Sequence, residues 1–222
     1  SLQKNSFMNK KVKIAFLLDP KNIWIKKYLS ISKLFENKKF YSKIFTDFKK
    51  IKNFDIVFIL NYTKILDNSF LRKNSLNIVV HASNLPNGKG FSPMQWQILS
   101  NKNKIPICLF KAVSKVDAGE IYEKAFINLK GTELYDELRY LQAIATFKLI
   151  QKFLNKYPNI KGKEQKGLST YYRRRTPMDS KLNINLPLKK LFNNLRIANN
   201  SAWPSFFIYK NKNYIIKIFS KN

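Results

Sequence analysis

Asn77-Ile78-Val79-Val80-His81-Ala82-Ser83-Asn84-Leu85-Pro86-Asn87-Gly88-Lys89-Gly90 is the stretch on which the reading of this chain turns. Its first four residues are mostly apolar and β-branched and read as a buried strand. The Pro, two Gly and Lys that follow read as a loop. His81 is the one histidine in 222 residues. A lone titratable group at the end of a buried strand, opening onto a loop, stands where α/β proteins place their chemistry.

On the amino-terminal side, 12–18 and 55–60 are short apolar runs of the same kind, and 41–45 reads as a short strand. Between them, apolar residues at helical spacing predict helices over 23–35 and 64–72. On the carboxy-terminal side, Ser92-Pro93 suits the N-cap and first turn of a helix over 92–99. Strands follow over 105–113 and 121–129, close enough together to pair antiparallel. Leu134, Leu138, Leu141, Ile144, Ala145 and Leu149 form one stripe of a long helix over 132–154. Strands alternating with helices give an α/β fold with a mainly parallel twisted sheet flanked by helices.

The chain beyond this block is different. Residues 158–167 are polar and carry Pro and Gly, which suggests a linker. A helix is expected over 188–197. Aromatic strands over 206–209 and 214–219 then flank Lys210-Asn211-Lys212-Asn213 as a hairpin. A helix and one hairpin are too small to stand alone, so they should pack on the main domain or on a second subunit. We therefore expect a main domain over 1–157, a linker over 158–185, and a small helix-hairpin subdomain over 186–222. The native fold is expected to begin near Met8.

Hydrophobic content of 45% and aromatic content of 14% supply a real core and exclude a disordered chain. One cysteine, Cys108, excludes an internal disulfide and suits a reducing cytoplasm. No run approaches the roughly 20 apolar residues of a spanning helix. The net charge of +29 invites a nucleic-acid reading. Only six of the 42 basic residues are arginine, however, and the lysines are spread evenly among many asparagines. A compositional bias gives the same picture, so nucleic acid is not the expected partner. Placed arginines are the better sign of phosphate recognition, and three stand together at Arg173 to Arg175.

From Asn77 onward the chain resembles the formyltetrahydrofolate-dependent formyltransferases, and sugar N-formyltransferases most of all. Three motifs carry the resemblance: His81-Ala82-Ser83-Asn84-Leu85-Pro86 with Lys89-Gly90; Gly90-Phe91-Ser92-Pro93-Met94-Gln95-Trp96-Gln97-Ile98; and Val116-Asp117-Ala118-Gly119-Glu120-Ile121. A fourth segment, Arg174-Arg175-Thr176-Pro177-Met178-Asp179 with Leu195-Arg196 and Trp203-Pro204, is similar to the tail that follows the catalytic domain in such enzymes. The resemblance implies a Rossmann-like domain and transfer of a formyl group from N10-formyltetrahydrofolate to an amine, with no metal.

The chemistry asks for a hydrogen-bond donor where an oxyanion develops, and for a group that takes the proton lost by the amine. By motif match, the resemblance implies His81 as oxyanion donor or base, and Asp117 as its partner in orientation and proton removal. Folate contacts are implied at Leu60, Asn61, Tyr62, Val116, Ala118 and Gly119. Substrate contacts are implied at Ser83, Lys89, Gly90 and Arg174. The family's catalytic Asn lies two residues before the His, where this chain has Val79. Asn61, Asn77 and Asn84 are each candidates to supply the missing amide.

Plainer readings exist for several of these residues. Asp-Ala-Gly at 117–119 is also good turn chemistry. Ser83 would serve equally as a loop cap, and Trp96 as core. The expected acceptor is a nucleotide-activated amino sugar, concretely a 4-amino-4,6-dideoxy sugar on UDP or dTDP, for surface-glycan synthesis. The alternatives are a methionyl-tRNA formyltransferase-like enzyme and a basic RNA-binding relative without catalysis. The resemblance also implies a homodimer, with the aromatic hairpin as the contact.

Overall fold

The computed structural model describes residues 11–21, 23–29 and 39–221. The chain forms two compact units, residues 1–80 with 111–114 and residues 81–110 with 115–222.

The first unit is built on parallel strands. β1 (Val12–Leu18) lies between β2 (Phe40–Phe45) and β3 (Ile56–Leu60), and β4 (Leu76–His81) continues from β3. Ile14 to Leu18 are fully buried, as a strand covered on both faces must be. One face carries Ala15, Leu17, Val57 and Ile59 against Ile51 and Phe70. On the other, Phe16 stacks on Phe58 with ring centroids 5.5 Å apart. Burying each such phenyl ring stabilises the unit by about 1.5–3 kcal/mol.

The described helical segments of this unit are short. Over 23–29 the chain forms a 3-10 turn at Ile23–Ile25 and then α1 (Lys26–Leu29). Residue 30 and the rest of that expected helix lie outside the described residues, as does the expected start near Met8. The helix expected over 64–72 is confined to α2 (Asn68–Leu71). The reason is Asp67, whose carboxylate accepts the Phe70 N–H at 2.8 Å and sets the N-cap there. Ile65, within the expected helix, lies outside α2 and is exposed.

In the second unit, β5 (Lys89–Gly90) follows the His81 loop. Next come α3 (Pro93–Leu99) and β6 (Lys104–Lys111), which pairs antiparallel with β7 (Ile121–Asn128), as the close spacing suggested. α4 (Tyr135–Lys156) packs on β7. Pro93 takes the first turn of α3 as expected, but Ser92 makes no side-chain cap; its backbone is left-handed, at φ +50°. The stripe of α4 is also rotated from the one expected. Ala143, Phe147, Ile150, Phe153 and Leu154 are buried beside Leu138 and Leu149, whereas Leu141, Ile144 and Ala145 are only half-buried. No helix among the described residues is long and apolar enough to cross a membrane.

Residues 158–185 carry ordered structure. Lys163 exchanges both backbone hydrogen bonds with Ile121, β8 (Tyr171–Tyr172) pairs parallel with β5, and a 3-10 turn spans Pro177–Ser180. α5 (Leu188–Arg196) and the hairpin of β9 (Ser205–Tyr209) and β10 (Lys212–Ile216) complete the unit. The hairpin turns on two residues rather than four. Lys210 and Asn211 both have positive φ, +46° and +59°, as a tight turn matched to the strand twist requires.

Candidate active site

His81 ends β4, and its ring nitrogen Nε2 lies 2.9 Å from the Gly88 carbonyl oxygen. A carbonyl oxygen only accepts, so Nε2 carries the proton and donates it. Asp117 Oδ2 lies 4.0 Å from the same nitrogen, and both side chains are 11% exposed. That carboxylate oxygen also accepts the Gly90 N–H at 2.9 Å. The resemblance placed His81 and Asp117 together, and the structure does bring them together.

The loops that hold the pair are tightly specified. Gly90 sits at φ +94°, and a Cβ there would run into the Tyr172 carbonyl oxygen. Only glycine serves at that position, and its N–H is the one that holds Asp117. Asp117 itself is at φ +51°. A left-handed backbone costs a residue with a side chain about 1 kcal/mol, and Asp tolerates it better than most. Gln165 Nε2 offsets that cost by donating to the carbonyl oxygens of Asp117 (3.0 Å) and Gly119 (2.9 Å).

The remaining expected substrate contacts differ in how available they are. Ser83 is 2% exposed, and its buried hydroxyl has no hydrogen-bond partner in the protein. Lys89 is 4% exposed with its ammonium 5.9 Å from the Tyr171 ring centre. Arg174 is exposed, and its guanidinium lies 4.2 Å from the centre of the Phe91 ring, next to Gly90. Of its neighbours, Arg173 is engaged by both oxygens of Asp179 and lies over Trp96. The Trp96 indole N–H in turn donates to the Arg173 carbonyl oxygen, so Trp96 has a fixed polar partner. Arg175 is half-buried, with its Nε unpaired.

Val116 is half-exposed, Ala118 half-buried and Gly119 buried on the Asp117 loop. In the first unit, Leu60 is buried at the end of β3, Asn61 turns at φ +54°, and Tyr62 is half-buried. Burial, then the charges of Asp19 and Asp47, push the Tyr62 phenol up. Asp19 ties this turn down by accepting Thr63 N–H (3.0 Å), the Thr63 hydroxyl and Lys21 N–H (2.9 Å). Burial would raise the Asp19 carboxyl, but these bonds and Lys64 together hold it below its ordinary value.

The three asparagines considered for the missing amide stand in different conditions. Asn77 donates through Nδ2 to the Leu71 carbonyl oxygen at 2.9 Å, so its donor is spent on packing. Asn84 is exposed and accepts from the Lys124 ammonium at 2.9 Å. Asn61 keeps a buried amide nitrogen without a partner. Val79 packs against the apolar core of the first unit and supplies no polar group.

Sequence reasoning missed Gln165, which it placed in a polar linker, and the Gly88 carbonyl, which no side-chain pattern announces. It also left Thr170 unread. That residue accepts Gly88 N–H on its hydroxyl (2.8 Å) and Lys89 N–H on its carbonyl (2.9 Å).

The chain is similar to several known proteins. The methionyl-tRNA formyltransferase of Buchnera aphidicola subsp. Baizongia pistaciae is 28% identical over 188 residues, 82% of this chain and 55% of that protein. The chain spans between 24% and 55% of the length of the curated relatives it matches. Among solved structures, a methionyl-tRNA formyltransferase from Clostridium thermocellum superposes with a TM-score of 0.79 at 23% identity, covering 96% of this chain and 94% of that one. A 4-N formyltransferase from Francisella tularensis superposes with a TM-score of 0.69 at 15% identity, covering 95% and 98%. Residues 9–146 match the formyl transferase family itself, and the chain belongs to that family.

Proposed function

We propose that this chain is an N-formyltransferase acting on the amine of a nucleotide-activated amino sugar, with N10-formyltetrahydrofolate as the formyl donor. The observation that carries the reading is the His81–Asp117 pair, 4.0 Å apart and shielded, with the Gly90 N–H on the carboxylate. His81 presents an Nε2–H that is at present satisfied only by the Gly88 carbonyl. That N–H is the donor for an oxygen on which negative charge develops. Asp117 offers a carboxylate fixed by a backbone N–H, suited to take the proton an attacking amine releases. With valine at position 79, His81 carries the oxyanion role without a neighbouring amide. The folate, when bound, supplies the formyl carbon.

The sugar reading rests on the loop Ser83 to Pro93 and on the cations beside it. Of these, the exposed Arg174 suits a diphosphate, and it adjoins the loop through Phe91. A second reading, formylation of charged initiator tRNA, is favoured by the net charge of +29 and by the methionyl-tRNA formyltransferases among the relatives.

Incubation with N10-formyltetrahydrofolate and a panel of UDP- and dTDP-linked amino sugars, read by mass spectrometry, separates the two. One sugar should gain the mass of a carbonyl. Formylation of methionyl-tRNA with no sugar turned over would replace the first reading by the second. His81→Ala should remove most turnover, on the order of a hundredfold for a lost oxyanion donor, and leave donor binding intact.

A further inference from the structure

His81 ends β4, but Asp117 stands on a loop, where no ladder of sheet hydrogen bonds fixes its carboxylate relative to the imidazole. Asp117 also holds a left-handed backbone, at φ +51°. The residue that stabilises this turn comes from far along the chain. Gln165, 48 residues after Asp117, donates through one amide nitrogen to Asp117 O at 3.0 Å and to Gly119 O at 2.9 Å. Two carbonyls converging on one point need two N–H groups from one atom, and a terminal amide supplies them. The other end of that amide, Oε1, is buried with no partner among the described residues. The orientation is therefore set by the two carbonyls alone.

The same segment holds the opposite side of the pair. Lys163 is anchored by its two backbone bonds to Ile121. Thr170 accepts the N–H groups of Gly88 and Lys89, and Tyr172 accepts that of Phe91. Gly88 provides the carbonyl on His81 Nε2, and Gly90 provides the N–H on Asp117 Oδ2. Residues 163–172 thus bind both loops, with Gln165 on the carboxylate loop and Thr170 on the histidine loop.

We infer that Gln165 is a positioning residue: by clamping the 117–119 turn it holds the Asp117 carboxylate against His81. The inference rests on the reading of His81 and Asp117 as the reacting pair. It reassigns a polar stretch that reads as a connector to the support of the site.

The test uses the chain's single histidine. In an NMR spectrum of the whole protein, the imidazole signals come from His81 alone. Gln165→Leu keeps the bulk without donors, and Gln165→Glu keeps the shape while replacing the donating nitrogen by a carboxylate oxygen. Both variants, at fixed pH, should move the His81 resonances in the direction seen in Asp117→Asn. Both should lower kcat by about tenfold or more with KM for the formyl donor nearly unchanged, as small misplacements of catalytic groups do. The inference is overturned if Asp117→Asn moves the His81 signals and neither Gln165 variant does. A fall in melting temperature with kcat intact also overturns it. The NMR arm needs no turnover, so it decides on Gln165 even if the wild-type protein formylates none of the amines tried.

Discussion

Single residues divide sharply here between those poised for chemistry and those withdrawn from it. His81 and Asp117 are shielded, adjacent and each held by a backbone group of the 88–90 loop. Cys108 is the opposite case. Its thiol is buried, and burial pushes its pKa up to about 12. A thiol so disfavoured as thiolate is a core residue, not a nucleophile. Alkylation in the native state at neutral pH should therefore be negligible and become rapid on unfolding, as thiol-specific labelling followed by mass spectrometry would show. Fast native labelling without loss of structure would contradict the burial. The sequence marked His81 by its uniqueness, and the resemblance to the formyltransferases marked Asp117. Neither marked Gln165, because a glutamine among lysines carries no pattern and acquires its partners only when the chain returns to the 117–119 turn.

At the scale of elements, charged and polar side chains decide where helices start and how they dock. Asp67 shortens α2 to one turn. Glu133, just ahead of α4, accepts from the N–H groups of Lys130 and Gly131 and pairs with Arg196 at 2.7 Å. Arg196 is 1% exposed and also donates through Nε to the Glu133 carbonyl at 3.0 Å. This joins α5 to the start of α4. Burial alone would raise the Glu133 carboxyl, but the two N–H groups and the guanidinium together hold it below its ordinary value. A carboxyl lowered in the folded state stabilises above its unfolded pKa, and that stability is lost as the pH falls through the folded value. The second unit should therefore weaken in acid, below about pH 4, and Glu133→Gln should flatten that dependence in pH-dependent thermal melts. Arg196→Ala leaves the Glu133 charge buried and unpaired, and should cost about 3 kcal/mol at neutral pH. A loss under 1 kcal/mol would show that the pair contributes little to docking.

For the whole molecule, a prominent surface feature is the β9–β10 hairpin, which exposes apolar side chains on both faces, Tyr209 and Tyr214 on one and Ile208 and Ile215 on the other. Ile208, Tyr209, Tyr214, Ile215 and Phe219 are all at least 40% exposed. The homodimer expected for the chain would cover part of this hairpin. Ile215→Glu should then shift the protein from dimer to monomer in light scattering, and a wild-type monomer at micromolar concentration would reject the expectation. The sequence by itself determined the α/β class, since fully buried apolar runs such as Ile14 to Leu18 can be little else than covered strands, and local turn chemistry announces their ends. It also offered His81 and Asp117 as candidates, His81 as the lone histidine after a buried strand and Asp117 through the motif resemblance. Only the tertiary structure decided which groups complete the site. The Gly88 carbonyl and the Gly90 N–H act as backbone groups, 7 and 27 residues from their partners, and Gln165 and Thr170 act through contacts 46 to 82 residues apart in sequence. Contacts of that range leave no periodicity in a sequence, because the geometry that makes them exists only once the chain is folded.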